Sequence, residues 1–235
     1  MCYLAIQSCF LKLSFALHNA KNPQSDIILL ENTNVKNQCN DIDVLFNNIL
    51  TQNSIAISDI DTIFCSNGPG SFTGIKIGVA FIEGLTIFRK NINLYYVNNL
   101  ISNLSNIDDI LFPTTSFIVS VVEGLMGEVY IQFFTFNKAE QSLNILNEIN
   151  NIKETEINNY INSFLINNFQ YQNCESKYIF TTKDIITNDN KFKIIKTTLP
   201  TAKDVMKISL KLMQNNKNIL MQNNQTYYVR NPIMS

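Results

Sequence analysis

The chain has 235 residues, 46% of them hydrophobic and 16% charged, with a formal net charge of −1. That length suits one large domain or two lobes of roughly 100 residues each. The near-neutral balance supplies no basic field for gripping a nucleic-acid backbone unaided. No apolar run approaches the roughly 18 residues needed to cross a bilayer, and no basic flank precedes an apolar N-terminal stretch, so no membrane association and a cytoplasmic location are expected. Cys2, Cys9, Cys39, Cys65 and Cys174 are odd in number and lack C-x-x-C spacing. That is the pattern of free, mostly buried thiols, not of disulfides or a zinc site.

In chain order, residues 2–7, 12–18 and 26–31 read as three short strands, an antiparallel meander by their close succession. Ile42, Leu45, Phe46 and Ile49 recur at helical spacing and predict an amphipathic helix over 41–50. A strand over 62–66 then runs into Ser66-Asn67-Gly68-Pro69-Gly70-Ser71-Phe72-Thr73-Gly74-Ile75-Lys76-Ile77-Gly78, which holds four of the seven glycines. Gly68-Pro69-Gly70 is a turn signal, in which Pro69 fixes φ and either glycine can take a positive φ. Ser71 or Thr73 can cap the helix predicted over 75–88, whose apolar face is marked by Ile75, Val79 and Ile82. Strand, glycine turn and capped helix make either a tight structural corner or a cradle for an anion or partner. The common phosphate fingerprints do not fit. Only three residues separate Gly70 from Gly74, one short of a Walker loop, and the third glycine of a dinucleotide fingerprint comes one residue late.

Residues 93–97 complete a βββαβαβ order, that of an RNase H-like lobe with mixed parallel and antiparallel pairing. Polar and acidic residues over 103–113 mark a lobe boundary. Strands over 117–122 and 128–136 flank a hairpin connection, Glu123-Gly124-Leu125-Met126-Gly127. The run 143–149 is ambiguous. Ile157, Tyr160, Ile161, Phe164 and Leu165 give a helix, 177–181 and 192–196 two short strands, and 201–214 a last helix after Pro200. A second, shorter copy of the first lobe explains this order. The fold class is therefore α/β, a two-lobed actin-like ATPase (RNase H-like) fold of mixed sheets with flanking helices. Its parts are a first lobe over 1–104, a smaller lobe over 105–199, and a C-terminal helix and tail over 200–235 that docks on the body.

Chemistry is sparse. His18 is the only histidine, too few for a two-histidine metal site or relay. It stands before a polar loop, where a solvated surface residue is expected. A Ser71–His18 pair would need an orienting carboxylate and a strained serine elbow, whereas Ser71 occupies a cap position. No catalytic residue, metal ligand or cofactor is assigned.

The thirteen residues from Ser66 to Gly78 resemble the G-P-G-S-F-T-G-[IL]-[RK]-[IV]-G signature of the TsaB (YeaZ) family of tRNA threonylcarbamoyladenosine biosynthesis subunits. Gly127-Glu128-Val129-Tyr130, Pro200-Thr201-Ala202 and Tyr228-Val229-Arg230-Asn231-Pro232 are similar to further family segments. Several positions depart from the pattern: Gln7 stands where the family has Asp, Leu125 where it has Arg, and Gln38-Cys39-Asn40 where it has H-S-E, while Glu123 keeps an acid. The resemblance implies a non-catalytic relative of TsaD, the subunit that transfers threonylcarbamoyl to the adenosine beside the anticodon. It implies pairing with TsaD as a heterodimer, TsaE joining the assembly, tRNA met indirectly through TsaD, and a homodimer where the partner is absent. The expected partner interface and structural motif comprise Gly68, Pro69, Gly70, Ser71, Phe72, Thr73 and Gly74 with the helical positions Ile42, Leu45, Phe46, Ile49, Ile75, Val79 and Ile82. An autonomous actin-like ATPase or kinase, and less so a peptidase, are the alternatives. Gln7 opposes the first and the lone His18 the second.

Overall fold

The computed structural model describes residues 1–20, 26–32, 38–89, 91–110, 112, 115–172, 174, 176–187, 190–215 and 217–222. Cys2–Gln7 (β1), Ser14–Asn19 (β2) and Ile28–Glu31 (β3) form the expected antiparallel meander, with Leu4 opposite Leu17 and Phe15 opposite Leu30. Every residue of β1 is buried. A strand covered on both faces needs no polar alternation, which is why its sequence shows none. Thr62–Ser66 (β4) runs parallel to β1, and Asn93–Val97 (β5) parallel to β4, so the sheet order is β3-β2-β1-β4-β5. Parallel neighbours need crossovers. Gln38–Gln52 (α1) and Phe72–Thr86 (α2) supply them and share one apolar cluster with Leu4, Ile6, Phe15 and Ile63.

Residues 103–113, the expected lobe boundary, lie between β5 of the first sheet and the first strand of the second, which starts at Thr115. Asn99–Ser102 is a one-turn helix (α3), followed by a 3-10 turn at Ile107–Asp109, and Leu100, Ile101, Leu104 and Ile107 are buried. Ser102 and Asn103 are buried, while Asn106, Asp108 and Asp109 are exposed. Thr115–Glu123 (β6) and Glu128–Asn137 (β7) then make a long antiparallel hairpin. The ambiguous run over 143–149 opens with Ser142–Ile145 (β8), and Asn150–Lys153 (β9) follows it, both paired with β7. Between them the ladder is carried by Asn147, whose Oδ1 accepts from the Phe133 N–H at 2.7 Å, so one strand's worth of pairing is split by a side-chain substitute. Ile157–Asn167 (α4) and Phe169–Gln172 (α5) cover this sheet, which continues with Ser176–Thr181 (β10) and Phe192–Lys196 (β11), each parallel to its neighbour. The order β11-β10-β6-β7-β8 repeats that of the first sheet: a central first strand, a hairpin to one side, parallel strands to the other. The second copy expected from the element order is thus present as topology.

The last helix, Ala202–Asn215 (α6), buries Val205, Met206, Ile208 and Leu212. These residues lie in a core shared with Ala5, Phe64 and Tyr95 of the first sheet and Ile118, Phe134 and Phe180 of the second. Past α6, Met221 bridges to Tyr96 at the edge of β5, with Tyr96 N–H to Met221 O at 2.8 Å. The motif at 228–232 lies outside the described residues. Among those described, no helix is long and apolar enough to cross a membrane.

A core that spans both sheets couples their stabilities. Thermal or urea unfolding is expected as one transition, coincident by far-UV dichroism and tyrosine fluorescence. Met206→Ala should lower stability by about 2–5 kcal/mol without splitting that transition. Two resolved transitions would contradict a common core.

Candidate functional site

The glycine stretch is built against the β1–β2 turn. Gly70, Gly74 and Gly78 recur every four residues, so they share one face of α2 and its leading turn. A Cβ on Gly70 would meet the Cys9 carbonyl, one on Gly74 the Ser8 carbonyl, and one on Gly78 the Ser8 hydroxyl. The approach is then fixed by hydrogen bonds: Ser71 N–H donates to Cys9 O at 2.7 Å, and Ser8 Oγ to Gly74 O at 2.8 Å. Ser71, not Thr73, caps α2, its Oγ accepting from Gly74 N–H at 3.2 Å. The positive φ falls on Gly68, at 103°, ahead of a cis Gly68–Pro69 bond. Gly70 is instead required by space. The helix begins at Phe72, earlier than the expected 75, because the cap lies within the motif itself.

Behind this corner lies a buried polar network. The Gln7 Oε1 accepts from Cys9 N–H at 2.8 Å, and its Nε2 donates to Asn99 Oδ1 at 2.7 Å. Ser66 Oγ also donates to Asn99 Oδ1, at 2.6 Å, and Asn99 Nδ2 donates to Pro69 O at 2.7 Å. The Cys9 thiol lies 3.1 Å from Ser66 Oγ. Burial pushes the thiols of Cys9 and Cys65 upward, so both remain protonated and unreactive.

The corner forms one wall of a cleft of about 680 Å³ between the lobes, with Phe10, Leu11 and Phe72 on one side and Leu125, Tyr130 and Leu199 on the other. Glu123 is the one charged side chain among the described lining residues. Its carboxylate faces Lys183 Nζ at 3.7 Å, and the same ammonium meets Glu154 at 2.8 Å. The hydrogen bond to Glu154, ahead of the charges of both acids, raises the Lys183 pKa and keeps it cationic. A divalent cation of the kind an actin-like ATPase holds does not fit these groups. The Gln7 amide is neutral and spent on internal partners, and Glu123 already has a counter-ion.

The site residues expected from sequence divide into two sets. Gly68, Pro69, Gly70, Ser71, Phe72, Thr73 and Gly74 are together at the cleft wall. Ile42, Leu45, Phe46, Ile49, Ile75, Val79 and Ile82 are all buried in the first lobe's own core, so they present no surface to a partner. Their periodicity marks the face that covers the sheet. The outward faces carry other residues, including Val44, Ala80, Gly84, Ile87 and Phe88. His18 is half-buried and stacks on Tyr3 at 6.1 Å between ring centroids. It pairs with Tyr3 at one end of β1, while Ser71 bonds Cys9 beyond the other. That separation is roughly 13 Å or more, so Ser71 and His18 form no catalytic pair. Sequence reading missed Ser8, Ser66 and Asn99. The four-residue glycine spacing was the available signal for a close approach, but nothing marked what approached.

Two sheets of identical strand order, joined by a shared core and separated by a cleft, define a two-lobed actin-like protein. A family model described as TsaD, tRNA N6-adenosine threonylcarbamoyltransferase, matches residues 35–226, and the chain belongs to this family. Among curated proteins it is similar to the tRNA N6-adenosine threonylcarbamoyltransferase of Thermosipho melanesiensis, 29% identical over 40% of this chain and 29% of that one. It is similar also to the tRNA threonylcarbamoyladenosine biosynthesis protein TsaB of Buchnera aphidicola, 31% identical over 28% of this chain and 31% of that one. The matched segments thus span less than a third of either relative. The crystal structure of a Pseudomonas aeruginosa protein described as similar to peptidase YEAZ shares the fold along almost the whole chain. Its TM-score is 0.67 at 14% identity, covering 97% of this chain and 99% of that one. YeaZ from the same organism gives 0.63 at 13%, covering 96% and 97%. The likeness to TsaB (YeaZ) read from the glycine motif therefore extends to the fold.

Gly74→Ala and Gly78→Ala should each cost about 1–3 kcal/mol in urea denaturation, Gly74 more because backbone blocks it. Gly84 has open space around the position of a Cβ, so Gly84→Ala should stabilise the isolated chain by about 0.5–1 kcal/mol. Gln7→Glu tests the network by pH. A protonated acid can still donate to Asn99, but a carboxylate cannot, so its folded-state pKa is raised above the ordinary glutamate value of about 4.3. The variant should therefore approach wild-type stability at low pH and lose stability as pH rises through that raised value. A stability deficit independent of pH would place the Gln7 amide outside the network.

Proposed function

We propose that this chain is a non-catalytic subunit of the machinery that makes threonylcarbamoyladenosine in tRNA, binding and supporting a catalytic TsaD-type partner. The observation that carries the reading is the outward face of α2. Ala80 and Gly84 lie exposed one turn apart, followed by Ile87 and Phe88, exposed to 67% and 92%, with Val44 of the neighbouring α1 exposed to 56%. A glycine inside a helix costs about 1 kcal/mol relative to alanine, and nothing in this fold requires one at Gly84. Small residues bordered by exposed apolar ones suit the close approach of a partner helix.

The cleft chemistry supports a scaffold. The position that would carry a metal-binding acid is an amide bonded to Cys9 and Asn99, the second acid is paired with Lys183, and His18 lies far from Ser71. Removing one transition-state group typically costs about 100- to 1,000-fold in rate, so a site lacking several is silent. TsaE joins the assembled complex, tRNA is met through the TsaD-type partner, and the whole works in the cytoplasm. Without the partner, a homodimer forms through the same faces of α1 and α2.

The test is reconstitution with the TsaD and TsaE of the same organism and a threonylcarbamoyl-adenylate source. Modification should be lost when this chain is omitted, and the pure chain should neither turn over ATP nor cleave peptides. Gly84→Arg and Phe88→Glu should leave the chain folded by dichroism while abolishing co-elution with TsaD. Full modification without the chain, or ATP turnover by it alone at ordinary enzyme rates, would overturn the proposal. Unchanged co-elution of both variants would move the interface elsewhere.

A further inference from the structure

We infer that α3 is a latch that holds the two lobes at one opening, so that the cleft is a preformed surface and not a jaw that closes on a ligand. The inference rests on how this short element distributes its side chains. Asn98, the residue that caps α3 by accepting from Ile101 N–H, points its Nδ2 into the second lobe, where it donates to Gln132 Oε1 on β7 at 3.2 Å. Its neighbour Asn99 faces the first lobe and makes the bonds to Gln7, Ser66 and the Pro69 carbonyl. One turn on, Asn103 returns to the second lobe. Its Nδ2 donates to Ser120 Oγ on β6 at 3.0 Å and to the Phe180 carbonyl on β10 at 3.2 Å, and its Oδ1 accepts from Thr197 Oγ1 at 2.6 Å. Ser120 Oγ closes the loop by donating to the Leu100 carbonyl at 2.8 Å.

Asn98, Asn99, Asn103, Ser120 and Gln132 are all buried. Rotation of one lobe against the other would draw Asn103 away from β6, β10 and the segment after β11 together. Each amide atom would then be left in an apolar interior without a partner, and water cannot reach it to compensate. An opening too small to admit water therefore carries this penalty in full, which disfavours intermediate positions and makes the latch two-state. The apolar half of the same joint acts alike, because Leu100 and Leu104 pack with Ile118, Tyr178 and Phe180 in one cluster.

The cleft offers its own measuring points. Cys39 is an exposed thiol on α1 and Leu125 an exposed residue on the opposite hairpin, and both line the cleft. A spin-label pair on Cys39 and Leu125→Cys, in a Cys174→Ser background with the buried Cys2, Cys9 and Cys65 confirmed unlabelled by mass, reports the opening by pulsed electron resonance. The full chain should give a single narrow distance distribution, unchanged by excess Mg·ATP. Asn103→Ala, with native dichroism, should widen it about twofold or split it into two populations. If Asn103→Ala does not fold, Thr197→Val combined with Gln132→Leu serves in its place and should widen the distribution likewise. A broad or double distribution in the parent chain, a shift of several ångströms on adding Mg·ATP, or an unchanged narrow distribution in a folded latch variant would each overturn the inference.

Discussion

The contact of α2 with the Ser8–Cys9 turn is the constraint on which the rest of the molecule depends. A helix can lie that close to a backbone turn only if its facing positions have no side chain, and Gly70, Gly74 and Gly78 meet this need at three successive levels. Once seated, α2 brings the Pro69 carbonyl to Asn99 and the Ser66 hydroxyl with it. Asn99 in turn fixes α3, and α3 fixes the second lobe. The order of causation runs from missing side chains to helix position, to a buried polar network, to the relation between the lobes.

The same contact determines the chemistry. In a nucleotide-binding corner the glycines leave backbone N–H groups open to phosphate oxygens. Here the space they leave is filled by the protein's own turn, and the Ser71 N–H is taken by the Cys9 carbonyl at 2.7 Å. Gln7 is part of that filling. Its two polar atoms bridge Cys9 and Asn99, a task a carboxylate could not perform because it has no donor when ionised. An amide at this position thus carries no charge and supplies a structural donor.

Most of the fold was legible in the sequence, because strand runs and helix periods report burial, and burial is what periodicity measures. The βββαβαβ order, the capped helix after the glycine turn and the long hairpin follow from it. The candidate site was less legible for the same reason: Ile42, Leu45, Phe46, Ile49, Ile75, Val79 and Ile82 are periodic because they cover their own sheet. Exposed positions have no such period, so Val44, Gly84 and Phe88 carried no pattern. Within the segment over 103–113, the burial of Asn103 was equally silent. Asn103 sits among polar and acidic neighbours, yet it is buried and bonded to three strands or their extensions. A polar residue signals solvent only until a fold supplies it with partners.

The bridge between Met221 and Tyr96 bears on how the protein avoids sticking to itself. β5 is the terminal strand of its sheet, and an uncovered terminal strand is a template for another chain's backbone. The residues after α6 return to occupy that template, Tyr96 both giving and receiving a backbone hydrogen bond. At the far side of the second sheet, β11 is terminal in the sheet order and carries Lys193 and Lys196. A chain shortened before Met221 would leave the β5 edge without this pairing, open to another chain's backbone.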